Sequence, residues 1–168
     1  PRRQKLCVSS LTKQGRIKAI EDIRTKFINC AAIETYFAWL RYKKDNDNAE
    51  SKLKTGNIPD EFKRQMYYTF GDYRDIFFGT DISSCPYIKG TSNNIKDILN
   101  KENKKPEHWW NEHGKEIWEG MLCALTNGLS ESEKKTIKST YSYDQLKKTS
   151  NGTTPLEKFA ERPQFLRW

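Results

Sequence analysis

A run of 28 residues without proline or glycine, 16–43, carries its apolar side chains mainly at three- and four-residue steps. This spacing places those side chains along one side of an α-helix. They are Ile20, Ile23, Phe27, Cys30, Ala31, Phe37 and Leu40. Lysine and aspartate follow at 43–45, as is typical of a helix C-terminus. The sequence therefore predicts a long helix over 16–43 and a polar loop over 45–57.

A second helix is bounded by Pro59 and Gly79. Proline favours the first helical turn, two acidic residues follow it, and glycine is typical just beyond a helix C-terminus. Between these bounds lies one apolar stripe, formed by Phe62, Met66, Phe70, Tyr73 and Phe77. Gly71 lies inside the helix at a cost of about 1 kcal/mol relative to alanine, which we interpret as a close crossing of another helix.

The pattern of apolar residues in the rest of the sequence predicts further helices. After a loop at 80–92, we expect a short helix at 93–103 and a longer one from Pro106 that buries Trp110, Trp118 and Leu122. Ser130 and Glu133 have the spacing of a capping box. A loop at 140–154 and a short segment from Pro155 follow. No stretch alternates as a strand would, so we predict an all-α bundle of two or three long helices with short peripheral helices, in one partial domain over 1–168.

Charge and hydropathy limit the possible partners. The chain carries 31% charged residues, and its mean hydropathy is −0.92. We find no apolar run near the roughly 20 residues that a membrane span needs, and we expect no membrane insertion. The net charge is +8, with an excess of seven positive charges in residues 1–45. This excess either forms a solvated surface or binds a polyanion such as a sulphated glycosaminoglycan. Three lysine pairs further along the chain are the candidate polyanion contacts: Lys104, Lys105, Lys134, Lys135, Lys147 and Lys148.

Catalytic and nucleic-acid motifs are missing from the sequence. It contains no glycine-rich phosphate loop, no zinc-protease motif and no serine or cysteine tied to a base by spacing. Aromatic residues interleaved with basic ones can stack on bases, but here they fall on core spacing. We therefore predict no enzyme activity, no cofactor, no metal and no nucleic-acid partner.

The four cysteines are dispersed and form no zinc-binding or redox spacing. Cys7, Cys30, Cys85 and Cys123 are consistent with two disulfides in a secreted protein or with four buried thiols in a cytosolic one. Asn151 begins an Asn-Gly-Thr glycosylation sequon, which indicates a surface loop in a secreted protein.

Several strings resemble, in the same order, the Duffy-binding-like domains of the erythrocyte membrane protein one family of malaria parasites. They lie at 1–7, 30–37, 62–76, 79–82, 109–110, 117–125 and 162–168. No single string is decisive, but seven in the same order are very specific. Two of them, Thr-Phe-Gly-Asp-Tyr-Arg-Asp at 69–75 and Ala-Ala-Ile-Glu-Thr at 31–35, resemble the beta, gamma, delta and zeta classes more than the alpha class. Many relatives carry cysteine at the position of Phe77, so the resemblance implies that Cys85 replaces it, with Cys30 as its possible partner.

The resemblance implies a function that composition does not. Such domains bind host receptors, tether infected red cells and vary in sequence under pressure from host antibodies. They are displayed on the extracellular face of the infected erythrocyte within a larger membrane-anchored protein, and several beta-class members bind intercellular adhesion molecule one. The motif residues are expected to form the scaffold. They are Ile33, Phe37, Phe70, Tyr73, Arg74, Asp75, Trp110, Trp118 and Leu122.

Receptor contact is expected from the segments that tolerate variation, 45–57, 83–105 and 128–154, because loops accept changes more readily than packed helices.

Arg74 and Asp75 are expected to pair or cap, because a buried unpaired charge is costly. A third subdomain, which relatives carry after the position of Trp168, is an alternative location for the binding site. The remaining alternatives are a polyanion binder and a spacer domain without a ligand.

Overall fold

The predicted all-α fold class is confirmed by the computed structural model, which describes residues 8, 11, 17–82, 85–148 and 154–167. These residues form helices and turns and contain no β-strand. The helices are α1 (Ile20–Asp45), α2 (Ala49–Lys54), α3 (Asp60–Phe78), α4 (Pro86–Lys101), α5 (Pro106–Leu125), α6 (Glu131–Thr140), α7 (Tyr143–Leu146) and α8 (Leu156–Glu161), followed by a 3-10 turn at Gln164–Leu166.

Helices α1, α3 and α5 surround the core. Arg24 of α1 pairs with Glu116 of α5, and Ile28, one turn later, lies against Gly120, one turn after Glu116. The two helices therefore run in the same direction, and they share the most extensive contact among the described helices. Aromatic side chains of α3 fill the space beside them. Phe77 meets the ring of Phe27 edge-on at 6.0 Å between ring centroids.

The helix ends follow the local sequence signals. Pro59 is the N-cap of α3, and Gly79 ends that helix with a left-handed φ of 75°. Ser130 caps α6: its side chain accepts from the Glu133 backbone N–H, while the Glu133 carboxylate accepts from the Ser130 backbone N–H. These three boundaries confirm the predictions, because each depends only on residues within one helical turn.

Three predicted loops contain helix. Helix α2 lies within 45–57, α4 begins at Pro86 rather than near residue 93, and α7 lies within 140–148. Each of them buries at least one side chain, including Leu53 of α2, Ile88 of α4 and Tyr143 of α7. The local prediction was wrong here because burial against the bundle stabilises helices that are too short or too polar to form alone.

The structure also corrects the interpretation of Gly71. The group nearest to Gly71 is a side chain and not the backbone of another helix. The guanidinium of Arg167, from the turn after α8, lies so close that a Cβ at position 71 would be 3.0 Å from its Cζ and Nε atoms. Glycine is needed at this position because a side chain from the distant C-terminal segment occupies the space.

Candidate functional site

Most of the predicted scaffold residues lie in the core. Phe70, Tyr73 and Trp118 have no exposed side-chain surface, while Leu122 and Trp110 are 1% and 6% exposed. Trp118 also donates a hydrogen bond of 2.8 Å from its indole Nε1 to the Tyr141 carbonyl. The neighbouring Trp109 is buried as well, so the pair Trp109–Trp110 is not an exposed contact site.

Ile33 and Phe37 are exceptions, and the scaffold prediction was wrong for both. They are 42% and 51% exposed on α1. In this half of the helix the core-facing positions are instead Thr35 and Trp39. Trp39 packs on the ring of Phe62 at 4.9 Å between centroids, so the larger indole rather than Phe37 is buried.

We call the surface formed by Ile33, Tyr36, Phe37 and Leu40 the outer face of α1. All four side chains are large and apolar, and they are 39–51% exposed. Tyr36 and Phe37 meet edge-on at 5.4 Å between ring centroids. The sequence did carry a signal for this face, because Trp39 and Tyr42 make the second half of α1 apolar on more than one side, and such a helix has more than one contact surface.

A cleft of about 160 Å³ adjoins the outer face of α1. It opens between α1, α2 and the C-terminal end of α5. Tyr36 and Leu40 belong both to the outer face and to the cleft. Its remaining lining residues are Trp39, Lys43, Glu50, Leu53, Ala124, Leu125, Asn127, Gly128 and Leu129.

A second group of exposed apolar side chains lies in the segments that follow α3 and α8. Ile82 is 63% exposed, and Phe165 and Leu166 are 64% and 59% exposed. The Gln164 side chain accepts a hydrogen bond of 2.8 Å from the Ile82 backbone N–H, which brings the two segments together. Sequence reasoning missed this group because its members come from distant parts of the chain.

A buried polar network holds the C-terminal segment on α3. The Arg167 guanidinium donates to Asp72 at 3.2 Å and forms a short ion pair with Asp75. Burial raises the pKa of the Asp75 carboxyl, although hydrogen bonds from Arg167 and Thr80 oppose this shift. Gln164 donates to Asp72 at 3.2 Å. The network is enclosed by protein, and its role is structural.

Asp75 pairs as expected of a buried charge, but its partners are Arg167 and Thr80 and not the adjacent Arg74. The Arg74 guanidinium lies over the ring of Phe78, 4.5 Å from its centroid. Burial lowers the pKa of Arg74, while the nearby carboxylates, Glu161 first, oppose that shift. Adjacent positions on a helix point in different directions, which explains why the two side chains have different partners.

The six candidate lysines divide into two groups. Lys104, Lys134 and Lys147 lie 2.6, 3.5 and 3.4 Å from the carboxylates of Glu112, Glu131 and Glu157, respectively. Their neighbours Lys105, Lys135 and Lys148 form no ion pair with any described residue. Lys134 and Lys135 share a shallow groove on α6 with Lys138. The structure does not gather the six lysines into one continuous patch.

The cysteines lie in different environments. Cys30 is buried in α1, Cys85 is half-buried before α4, and Cys123 is exposed on α5. No disulfide joins these three residues to one another. Cys7 and Asn151 lie outside the described residues. The expected Cys30–Cys85 pair is therefore not formed in this structure, whereas a pairing that involves Cys7 and the glycosylation of Asn151 stay predictions.

The described part of the chain contains no group of three or more histidine, cysteine, aspartate or glutamate residues arranged to hold a metal ion. None of the described helices is long and apolar enough to span a membrane.

Comparison with known proteins identifies the family to which this chain belongs. The Duffy binding domain family matches residues 1–167, so the chain belongs to it. Duffy binding domains are receptor-binding adhesion modules of surface-exposed parasite proteins and not enzymes.

The relatives of this chain include several proteins named as Duffy receptors. The Duffy receptor of Plasmodium vivax (strain Salvador I) is 30% identical over 81 residues, which cover 46% of this chain and 8% of that protein. The Duffy receptor alpha form of Plasmodium knowlesi is 27% identical over 138 residues, which cover 77% of this chain and 12% of that protein. The chain thus spans about a tenth of the length of these relatives.

Proposed function

We propose that this chain is the helical part of an adhesion module that binds a protein receptor on host cells and mediates cytoadhesion of infected erythrocytes. The observation that carries the proposal is the match of the Duffy binding domain family to residues 1–167. The resemblance to erythrocyte membrane protein one adds display on the outer face of the infected erythrocyte, antigenic variation and recognition by host antibodies. Within that family, the class resemblance favours intercellular adhesion molecule one as the receptor.

The experiment is surface plasmon resonance with the oxidised chain as analyte and immobilised intercellular adhesion molecule one as ligand, alongside binding to cultured endothelial cells. We expect saturable binding that changes little between 50 and 300 mM salt. A reduced and alkylated sample serves as the control, because it tests whether the cysteines contribute to the active form. If the chain binds neither the receptor nor the cells, the proposal fails for residues 1–168.

A second candidate is a binder of sulphated glycosaminoglycan. Lys105, Lys135 and Lys148 support it, because their ammonium groups are not engaged by carboxylates of described residues. Counterion release predicts that heparin affinity falls steeply with salt. Replacing these three lysines by glutamine should weaken such binding more than replacing the paired Lys104, Lys134 and Lys147. Heparin binding that does not depend on salt would contradict this candidate, and a chain that binds no ligand would be a spacer domain.

A further inference from the structure

The outer face of α1 has the composition of a contact surface. Soluble monomers seldom expose large contiguous apolar patches without a function. Here Ile33, Tyr36, Phe37 and Leu40 follow one another at steps of three, one and three residues, which extends the face along about two helical turns. The cleft at its C-terminal end is lined mainly by apolar side chains. A partner could bury an apolar side chain in this cleft while it packs on the face. Much of the binding free energy of an interface comes from a few side chains buried in this way.

The charges around this face are mainly positive, although Glu34 lies beside it and the exposed Glu50 lines the cleft, 3.9 Å from Lys43. Lys26 precedes Ile33 by seven residues and Lys44 follows Phe37 by seven, so both lie on the same side of α1. Arg41, one turn after Phe37, has a side chain that is 65% exposed. The nearby Glu34 lies 3.7 Å from Arg41, and its own side chain is only 13% exposed. The rim of the face therefore presents three cationic side chains to a partner.

The positive rim identifies the chemistry of the occupant. A second copy of the chain would bring two cationic rims together, each on a molecule of net charge +8, and like charges in an interface are unfavourable. A partner segment with apolar side chains flanked by carboxylates would match both the face and its rim. Electrostatic complementarity of this kind also selects among partners and accelerates association.

We infer that the outer face of α1 is the docking surface for an apolar segment flanked by acidic side chains on the host receptor. The inference rests on the proposed adhesive function and assigns it to a helix face outside the segments 45–57, 83–105 and 128–154. The adjoining cleft is lined in part by Glu50, Leu53, Gly128 and Leu129, which belong to two of those segments. Apolar contacts supply the affinity, and the rim of Lys26, Arg41 and Lys44 selects an acidic partner.

Synthetic peptides test the surface without requiring a known receptor. One peptide carries leucines spaced to match the face with glutamates on both sides, and its companion carries lysines in place of the glutamates. Isothermal titration calorimetry with the whole chain should show at least tenfold tighter binding of the glutamate peptide. Equal affinity for the two peptides, or no binding of either one, overturns the inference.

Substitutions on the outer face of α1 test whether the peptide binds there. Ile33→Ser combined with Phe37→Ser should weaken binding of the glutamate peptide at least tenfold, whereas Tyr87→Ser, which removes an even more exposed aromatic elsewhere, should not. Circular dichroism checks that each variant is folded. A second variant, Arg41→Glu with Lys44→Glu, keeps the apolar face and should reverse the preference between the peptides. Unchanged affinities in both α1 variants overturn the inference.

The endothelial-cell assay separates this inference from the proposed function. If the wild-type chain binds cells and both α1 variants bind equally well, the docking surface lies elsewhere and the function stands. If the glutamate peptide binds but the cells do not, the surface is supported and the adhesive function fails. If light scattering shows a wild-type dimer that Ile33→Ser with Phe37→Ser converts to a monomer, a second copy occupies the face and the inference is overturned.

Discussion

Arg167 shows how one residue can determine what is tolerated nearly a hundred positions earlier. Its side chain has no exposed surface, and it donates to the Ala160 and Arg162 carbonyl oxygens as well as to Asp72. These bonds fix the guanidinium over Gly71. Because the guanidinium is held from several sides, it cannot move away from a bulkier residue at position 71.

Gly71→Ala should therefore destabilise the protein even though alanine is the better helix former. The new Cβ would lie 3.0 Å from two guanidinium atoms. The matched control is Gly90→Ala in α4, where a Cβ would meet nothing within 4 Å, and that change should raise the free energy of unfolding by up to about 1 kcal/mol. Urea unfolding measures both. If Gly71→Ala stabilises the protein, the Arg167 side chain can move away from the new Cβ and the prediction is wrong.

At the scale of elements, polar contacts hold the segment after α8 against α3. Helix α8 packs along α3, and the 3-10 turn beyond it places Gln164 and Arg167 against Asp72 and Asp75. The two buried carboxylates are tolerable because a guanidinium lies between them.

Arg167→Met should lower the free energy of unfolding by about 3–5 kcal/mol, because it leaves two buried carboxylates without their cation. The control is Arg162→Met, which removes an exposed guanidinium nearby and should change stability little. Chemical denaturation at neutral pH supplies the comparison. A loss below about 1 kcal/mol for Arg167→Met would mean that water or a rearranged partner satisfies the carboxylates.

At the scale of the whole molecule, buried phenols connect stability to alkaline pH. Burial raises the pKa of Tyr67 to about 12 from its ordinary value of 10.0. Burial, followed by the hydrogen bond to Glu157, also raises the pKa of Tyr143. A raised pKa in the folded state means that the unfolded chain loses its proton first as the pH rises.

The contribution of Tyr67 to stability should be fully present below pH 10 and should be lost as the pH rises through about 12. Urea midpoints measured between pH 8 and pH 12 test this expectation, with tyrosinate absorbance followed in parallel. Tyr67→Phe is the control, because it keeps the ring and should lose less stability over the same interval. Identical pH profiles for the two proteins would contradict the prediction.

The sequence alone determined the fold class, the three long helices and both ends of α3, whereas α1 was predicted over 16–43 and spans Ile20–Asp45. Periodicity and capping act within a few residues, so Pro59, Gly79 and the Ser130–Glu133 box could be read without a structure. The motif strings also indicated a Duffy binding domain, and the comparison confirmed that coarser assignment.

Only the tertiary structure decided which apolar side chains are left outside the core. Ile33 and Phe37 fit a helical stripe as well as Thr35 and Trp39 do, and the choice depends on where α3 and α5 lie against α1. The partner of Asp75 and the reason for Gly71 likewise depend on Arg167, which is more than ninety residues away in sequence. Local patterns specify which residues can share a face, whereas packing between distant segments determines which face is buried.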